Sequence, residues 1–376
     1  MLRDVEPIHW SDDLGVWVFT RYDDVARALR DPRWRRRPAD GRDLSWGASL
    51  PAIDSVMGNL FLMMDPPDHT RLRGLVNRAF TPTAAAAMEV RIRDIVGEML
   101  NAIEGRPSFD VIEDFAIPLP ATVIAEMLGV PTADLARFKH WSDNFATVLD
   151  FGPDVDVATL ERSMAEFAAW IRGLAAARRA EPRDDLLSAL VERHGGDALT
   201  EEELVSTTIL LIAAGHETTT NLIGNGVLHL LADPEQLERL RADPSLAGTM
   251  VEEILRMEPP VQATFRIAAE AMTDYGRPIE AGQEVLLSLA GGNRDPAVFE
   301  APNEFDIGRS PNRHLAFGLG PHFCIGSPLA RLEGRIALLA LVDRFPYLEL
   351  ADDGSSLPWR PSVVFRGLER LMLKPG

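Results

Sequence analysis

The stretch His314-Leu-Ala-Phe317-Gly318-Leu-Gly320-Pro-His322-Phe-Cys324-Ile-Gly326 contains the only cysteine of the chain. A lone cysteine is by default a small buried apolar side chain, and its neighbours decide whether it is more. Three glycines fall within the nine residues from Gly318 to Gly326, which describes a loop whose backbone turns tightly and approaches something closely. A helix is expected from about 327 to 344, just after the cysteine, and the free N–H groups and partial positive charge of its first turn favour a thiolate. Phe317 and Phe323 flank the sulfur. An anionic sulfur in an apolar loop, facing a flat partner, is what a heme iron requires of its ligand.

Outward from this loop the pattern is mostly helical. The run from Val16 to Pro32 predicts a short strand, Val-Trp-Val-Phe, then a helix ending before the proline. Residues 33–62 mix Arg, Trp, Gly and Pro without period and read as a long loop. From about 82 to 231 the pattern is helical, broken at Gly105–Pro107, Pro118, Gly129–Pro131, Gly152–Pro153, Glu181–Pro182 and Gly195–Gly196. Thr200 and Glu203 form a capping box that opens a helix over about 200–232, stopped by Asp233–Pro234. At ~1.5 Å per residue it is roughly 45 Å long, enough to cross a domain. Ala247–Met257 is a further helix ended by Pro259–Pro260, residues 261–308 turn to short strand-like runs, and the tail after 344 has strand character. The expectation is a mainly α fold with a smaller β portion. With no repeat, low-complexity tract or linker, the whole of 1–376 is expected to be one domain.

Composition narrows the function. The 57 acidic side chains against 38 basic ones leave −19, which argues against non-specific nucleic-acid binding. No stretch approaches the ~20 apolar residues of a membrane helix; the longest apolar cluster is Ile209 to Ala214. The charged start MLRDVEPIHWSDD has no apolar signal core. One cysteine excludes an intramolecular disulfide, and a cytoplasmic location is expected.

The pattern Phe-Gly-x-Gly-x-His-x-Cys-x-Gly, complete at all six fixed positions of 317–326, resembles the heme-binding loop of cytochromes P-450. The resemblance extends over the chain from about residue 10. It implies a fold with a long central helix over heme b (iron protoporphyrin IX) and the cysteine loop beneath it. Cys324 is then the iron ligand, with Phe317, Gly318, His322 and Gly326 completing the loop. Leu319 and Pro321 occupy variable positions. Relatives carry some tens of residues more before the Val16 strand, so the first residues here are expected to be poorly fixed.

Three further motifs follow in the order the resemblance requires. Glu253-Ile-Leu-Arg256 places an acid and a base on one helix face, by itself a surface pair worth ~0.2–0.5 kcal/mol. By resemblance the pair is buried behind the cysteine loop and completed by Arg309 of Phe305-Asp-Ile-Gly-Arg309, as structural support. In Ala213-Ala214-Gly215-His216-Glu217-Thr218-Thr219, Gly215 would let the helix backbone approach a planar cofactor beside Ala214. Thr218 can bond back to the Ala214 carbonyl and open the helix locally. By resemblance Glu217 and Thr218 are the acid and alcohol that handle protons and dioxygen. His216 lacks the second histidine of a zinc helix. His69-Thr-Arg-Leu-Arg73 is alone an ordinary cationic helix start. The resemblance implies that His69 and Arg73, with Arg266 and His322, reach the heme propionates, which suit paired N–H donors.

The activity implied is insertion of one oxygen atom of O₂ into a lipophilic small molecule, by hydroxylation or epoxidation. Electrons would come from NAD(P)H through a ferredoxin reductase and ferredoxin, since no flavin motif exists and one cysteine cannot hold an iron–sulfur cluster. A peroxide-driven peroxygenase or a heme sensor would not need the Glu217–Thr218 pair. A cysteine hydrolase built on Cys324 and His322 has the wrong spacing. The pocket is expected from Met57, Leu60, Phe61, Leu62, Ile209, Ala213, Val261, Thr264, Phe265, Val364 and Phe365, which are mostly apolar. Neither a nucleic acid nor a membrane is an expected partner, and the chain is expected to be monomeric. Arg71, Arg78, Arg313, Arg331 and Arg335 are expected to form a local positive patch for an acidic ferredoxin, while Arg73 faces a propionate.

Overall fold

A computed structural model describes residues 2–38, 50–131, 134–150, 156–192, 199–351 and 357–376. Its axis is the helix Glu201–Ala232, 32 residues long. Both halves of the capping box are made: the Thr200 hydroxyl accepts from Glu203 N–H, and the Glu203 carboxylate accepts from Thr200 N–H. Asp233 and Pro234 end the helix, as the sequence predicts. A helix apolar around its whole circumference must be covered on every side. The helices Pro118–Leu128, Leu135–Asp150, Val157–Ala180, Ala247–Met257 and Ser327–Arg344 all pack on it. No helix among the described residues is long and apolar enough to cross a membrane.

The β portion is two small sheets. β1 (Ile8–Ser11), β2 (Val16–Phe19), β3 (Trp34–Arg35), β5 (Ala263–Ala268) and β6 (Glu284–Ser288) form one sheet in the order β1-β2-β6-β5-β3. β4 (Phe109–Asp110), β7 (Glu349–Leu350) and β8 (Met372–Lys374) form the other, in the order β4-β8-β7. The β5–β6 pair is antiparallel and sets Arg266 opposite Val285. Phe19, Val25, Trp34, Val285 and Leu287 make a core beside the larger sheet, each such burial being worth roughly 1.5–3 kcal/mol. Leu315, at the start of the cysteine loop, belongs to that core, whereas Leu329 and Leu332 beyond the loop belong to the core around the central helix. The loop is therefore anchored at its two ends in two different cores.

The helices at Ala247–Met257 and Ser327–Arg344 match their predicted spans. Two expectations need correction. The segment 33–62 is not a plain loop: it contains β3, a helix at Pro51–Gly58 and a single turn at Phe61–Met63, while 39–49 lies outside the described residues. The helix starts without a cap from its own residues. Glu161, on the helix Val157–Ala180, instead accepts from Ala52 N–H at 2.7 Å and Ile53 N–H at 3.0 Å. The expected break at Pro118 is present: a helical stretch ends at Ala116 and a new helix opens at Pro118, at a first-turn position where its missing N–H costs nothing. The first residues are held rather than loose: Leu2–Val5 is a helical turn, and Arg3 donates to the Gly291 carbonyl at 2.7 Å. The predicted breaks at 152–153 and 195–196 lie outside the described residues.

Candidate active site

The cysteine loop turns on Gly318 and Gly320, at φ +66° and +71°, a region open to glycine and costly for other residues. A Cβ at Gly320 would stand 2.5 Å from the Leu29 carbonyl oxygen, so this loop can lie against the amino-terminal region only with glycine there. Cys324 N–H donates to the Phe317 carbonyl at 2.9 Å and closes the loop. Burial pushes the Cys324 thiol up, while the backbone N–H groups of Gly326 and Ser327 and the charges of Arg73 and Arg331 act downward. These donors follow the cysteine in sequence, at the start of the helix Ser327–Arg344, so Pro321 removes nothing the sulfur uses.

Behind the loop, Glu253 and Arg256 are both 0 % exposed. Arg256 donates to Glu253 from Nε at 2.8 Å and from Nη2 at 2.7 Å, and Arg309 Nε lies 3.1 Å from both carboxylate oxygens. Arg256 also donates to the carbonyls of Asn293, Pro302 and Glu304. Asn312, two residues before His314, adds a bond to Glu253 at 3.0 Å. A buried ion pair is stable only when its remaining donors and acceptors are satisfied, and here backbone carbonyls take that part. The network thus fixes the chain that leads into the cysteine loop.

A second charged group is unbalanced. Arg36, Arg73 and Arg266 all lower the affinity of His322 for a proton, and burial holds that ring at about 2. His69 and His322 lie with ring centres 4.1 Å apart and planes tilted by 39°. Both ring nitrogens of His69 are buried without a hydrogen-bond partner among the described residues, an arrangement that costs free energy unless a further group meets them. Arg266 is 4 % exposed, and its guanidinium is held well below its ordinary range by burial and by Arg36. The facing carboxylate is Asp65, which already accepts the N–H groups of Arg36 and Arg37. Among the described residues, three guanidinium groups against one carboxylate leave two positive charges for a dianionic partner.

Arg36 is absent from the sequence-based reading, which dismissed its segment as loop. Its side chain donates to the carbonyls of Leu62 and Phe265 at 2.8 and 2.7 Å and to Thr264 Oγ1 at 3.2 Å. Arg266 also uses Thr264 Oγ1, at 3.1 Å. The polar atom of Thr264, expected to face a substrate, is therefore engaged by two arginines. The signal available was the run Arg35-Arg36-Arg37 in an acidic chain.

On the central helix Ala214 is exposed and Gly215 and Thr218 are partly exposed, whereas every other residue from Glu203 to Val227 is buried. Thr218 Oγ1 donates to the Ala214 carbonyl at 3.1 Å. Gly215 also admits the helix Pro118–Leu128, since a Cβ there would meet the Ile124 side chain at 2.9 Å. Glu217 accepts from Arg360 Nη1 at 2.5 Å and from Asn221 Nδ2 at 3.4 Å. Arg360 was another residue that sequence reasoning missed. Among the expected pocket residues, Leu60, Phe61, Ile209, Ala213 and Val364 are buried. Met57 and Leu62 are partly buried against the main core, and Val261 bridges to Phe365.

The expected basic patch is mostly neutralised. Arg71 pairs with Glu203. Arg331 donates to Glu252 at 2.6 and 2.8 Å and lies 4.5 Å above the Phe317 ring. Arg335 stands 3.7 Å from Glu89. Arg78 and Arg313 are exposed. A groove of about 310 Å³ runs between these pairs, with Ala85, Ala86, Val251 and Leu332 in its lining.

Comparison with known proteins agrees with this geometry. The cytochrome P-450 profile matches residues 144–366. Cytochrome P-450 107B1 of Saccharopolyspora erythraea is 43% identical over 379 residues, covering 99% of this chain and 92% of that protein. The vitamin D(3) 25-hydroxylase of Pseudonocardia autotrophica is 42% identical over 372 residues, 97% of this chain and 89% of that protein. The crystal structure of P-450 BioI, in complex with an acyl carrier protein ligated with hexadec-9Z-enoic acid, has a TM-score of 0.93. It is 41% identical and covers 99% of this chain and 96% of that one. A fold, a cysteine loop and full-length likeness of this degree have one reading: the chain is a monooxygenase of the cytochrome P-450 family, which binds heme b.

Proposed function

We propose that Cys324 is the thiolate ligand of the heme iron and that the chain acts as a single catalytic unit over its whole length. The observation that carries this is the placement of the only cysteine, under the N–H groups of Gly326 and Ser327 and in front of the Glu253 network. The cationic group fits the rest of the cofactor. Two propionates match the two unbalanced charges of Arg36, Arg73, Arg266 and Asp65, and the His69 ring, whose nitrogens have no partner among the described residues, has an N–H to donate to the same carboxylates, with His322 beside it.

When bound, heme b supplies the reductive activation of dioxygen and the transfer of one oxygen atom to substrate. The chain's part is to hold, orient and deliver. Thr218 bonds back to the Ala214 carbonyl within the unbroken helix and offers its hydroxyl on the exposed face there. Glu217, one residue before it, passes protons to that face. The buried apolar residues around Leu60, Phe61, Ile209 and Val364 exclude water and favour a lipophilic substrate, which is hydroxylated or epoxidised. The relatives' names fit this class, since one hydroxylates vitamin D(3) and another is crystallised with a fatty acyl carrier protein. Electrons come from NAD(P)H through a ferredoxin reductase and ferredoxin, and the groove beside Leu332 and Val251 is where such a donor meets the chain. The chain works as a cytoplasmic monomer, with no nucleic-acid or membrane partner.

The test is product formation from a panel of terpenoids, steroids, polyketides and fatty acids, with NADPH, a surrogate ferredoxin and its reductase under isotopically labelled dioxygen. One labelled oxygen atom per product molecule supports the reading. Product made only with added peroxide, or carrying oxygen from water, contradicts it.

A further inference from the structure

On the reading that Glu217 delivers protons, its carboxylate must be resupplied from solvent, and its surroundings offer two directions. On one side stands Arg360. A guanidinium stays protonated throughout the working pH range and cannot hand its protons on. On the other side the helix Leu135–Asp150 brings Asp143 up to the central helix. One oxygen of Asp143, one ring nitrogen of His216 and one oxygen of Glu217 all lie within 4.8 Å of one another. The Asp143 side chain is 38% exposed, whereas His216 is 1% exposed, so the three groups step inward from solvent. Asp143 Oδ2 accepts from Lys139 at 2.8 Å, while its Oδ1 is shielded and has no partner among the described residues. Lys139 and Arg360 each already hold one of the flanking carboxylates, which argues against a metal ion here.

We propose that Asp143 and His216 form the proton inlet that recharges Glu217. The proton passes from a carboxyl oxygen of Asp143 to a ring nitrogen of His216, and from the ring to a carboxylate oxygen of Glu217. Asp143 is left ionised and takes its next proton from water, the ring ends neutral, and Glu217 ends as the acid. Single waters bridge gaps of this size. Burial keeps the His216 ring below its ordinary range. Glu217, the Ile212 carbonyl and Asp143 act upward on it, and Lys139 acts downward. The Phe138 ring covers another side at 5.4 Å. A ring that is neutral at rest accepts a proton and does not retain it, which is what a relay needs.

The experiment uses the heme-loaded enzyme with Asp143→Asn, His216→Gln and, as the conservative control, Asp143→Glu. NADPH oxidation with substrate should slow about tenfold in the first two and rise in solvent deuterium isotope effect, with Asp143→Glu near wild type. Heme content, the carbon monoxide spectrum and the substrate difference spectrum should not change. Independently of turnover, nitrogen-15 NMR of the ferrous carbon monoxide form should show His216 titrating at lower pH in Asp143→Asn. An unmoved His216 titration, or unchanged rates and isotope effects, overturns the inlet. Glu217→Gln and Thr218→Ala separate the two claims. If they too leave coupling unchanged, the reading of Glu217 itself is wrong; if they uncouple while Asp143→Asn is neutral, only the inlet is wrong.

Discussion

Arg360 and Glu217 are joined by an ion pair of 2.5 Å between the carboxyl-terminal segment and the middle of the central helix. Glu217 is 4 % exposed, so its charge has little water to stabilise it and depends on this guanidinium and on Asn221. The acid expected to handle protons is thus positioned by a neighbour one turn along the helix and by a guanidinium more than a hundred residues away.

Removing the guanidinium leaves a buried carboxylate unpaired, and that is where most of the loss in broken buried pairs arises. Arg360→Gln should lower the stability of the holoprotein by about 1–3 kcal/mol, less than the ~3–5 kcal/mol of a fully buried pair because Arg360 is partly exposed. The double variant Glu217→Gln with Arg360→Gln should recover most of it, as read from urea unfolding midpoints. Losses that simply add would mean that the two side chains do not stabilise each other in solution.

Thr218→Ala removes the hydroxyl bonded to the Ala214 carbonyl. Heme content and substrate binding should hold, while several times more of the NADPH consumed ends as hydrogen peroxide, because proton supply no longer matches oxygen–oxygen bond cleavage. Peroxide and product measured against NADPH decide it, and unchanged coupling would remove Thr218 from the relay.

Features carried by short patterns with their own chemistry were legible in the sequence. The cysteine loop, the Thr200–Glu203 capping box and the Glu253–Arg256 spacing each specify local geometry, and the structure forms all three. Features made by distant partners were not. The helix Pro51–Gly58 depends on Glu161, more than a hundred residues away, to accept its first N–H groups. Arg36 and Arg360 look like ordinary charges until β5 and the central helix are brought to them. Arg331 reads as a free cation of the helix after the cysteine, yet Glu252 on another helix takes it.

Glu333 is 1% exposed, one of its oxygens has no partner among the described residues, and burial pushes its carboxyl up to about 8. Its ordinary value is 4.5. Folding therefore favours the protonated form. The native state loses nothing from this group below pH 4.5, loses stability as pH rises from there to about 8, and carries the full cost above that. Glu333→Gln should stabilise the protein at alkaline pH by up to ~3–5 kcal/mol and flatten that pH dependence. Equal slopes of unfolding free energy against pH in the two proteins would contradict this.

Because Arg331 and Arg335 face Glu252 and Glu89, a ferredoxin-type donor should be guided only weakly by charge here. Reduction rates should fall less than about threefold on raising salt across the range where screening lengths shorten from ~10 to ~3 Å. Arg331→Glu sets two carboxylates together beneath Phe317 and should disturb the carbon monoxide spectrum. Arg313→Glu, on an exposed residue, should leave the spectrum intact. A steep salt dependence, with Arg331→Glu spectrally silent, would restore the picture of a basic docking patch.

The central claim is that Cys324 is the thiolate ligand of a heme, and the carbon monoxide difference spectrum of the reduced holoprotein tests it most directly. The wild-type protein should show the strongly red-shifted Soret band of thiolate ligation, and Cys324→Ala should lose that band. A wild-type band at the position of a histidine-ligated heme, or a Cys324→Ala protein that keeps the thiolate band, would contradict the account.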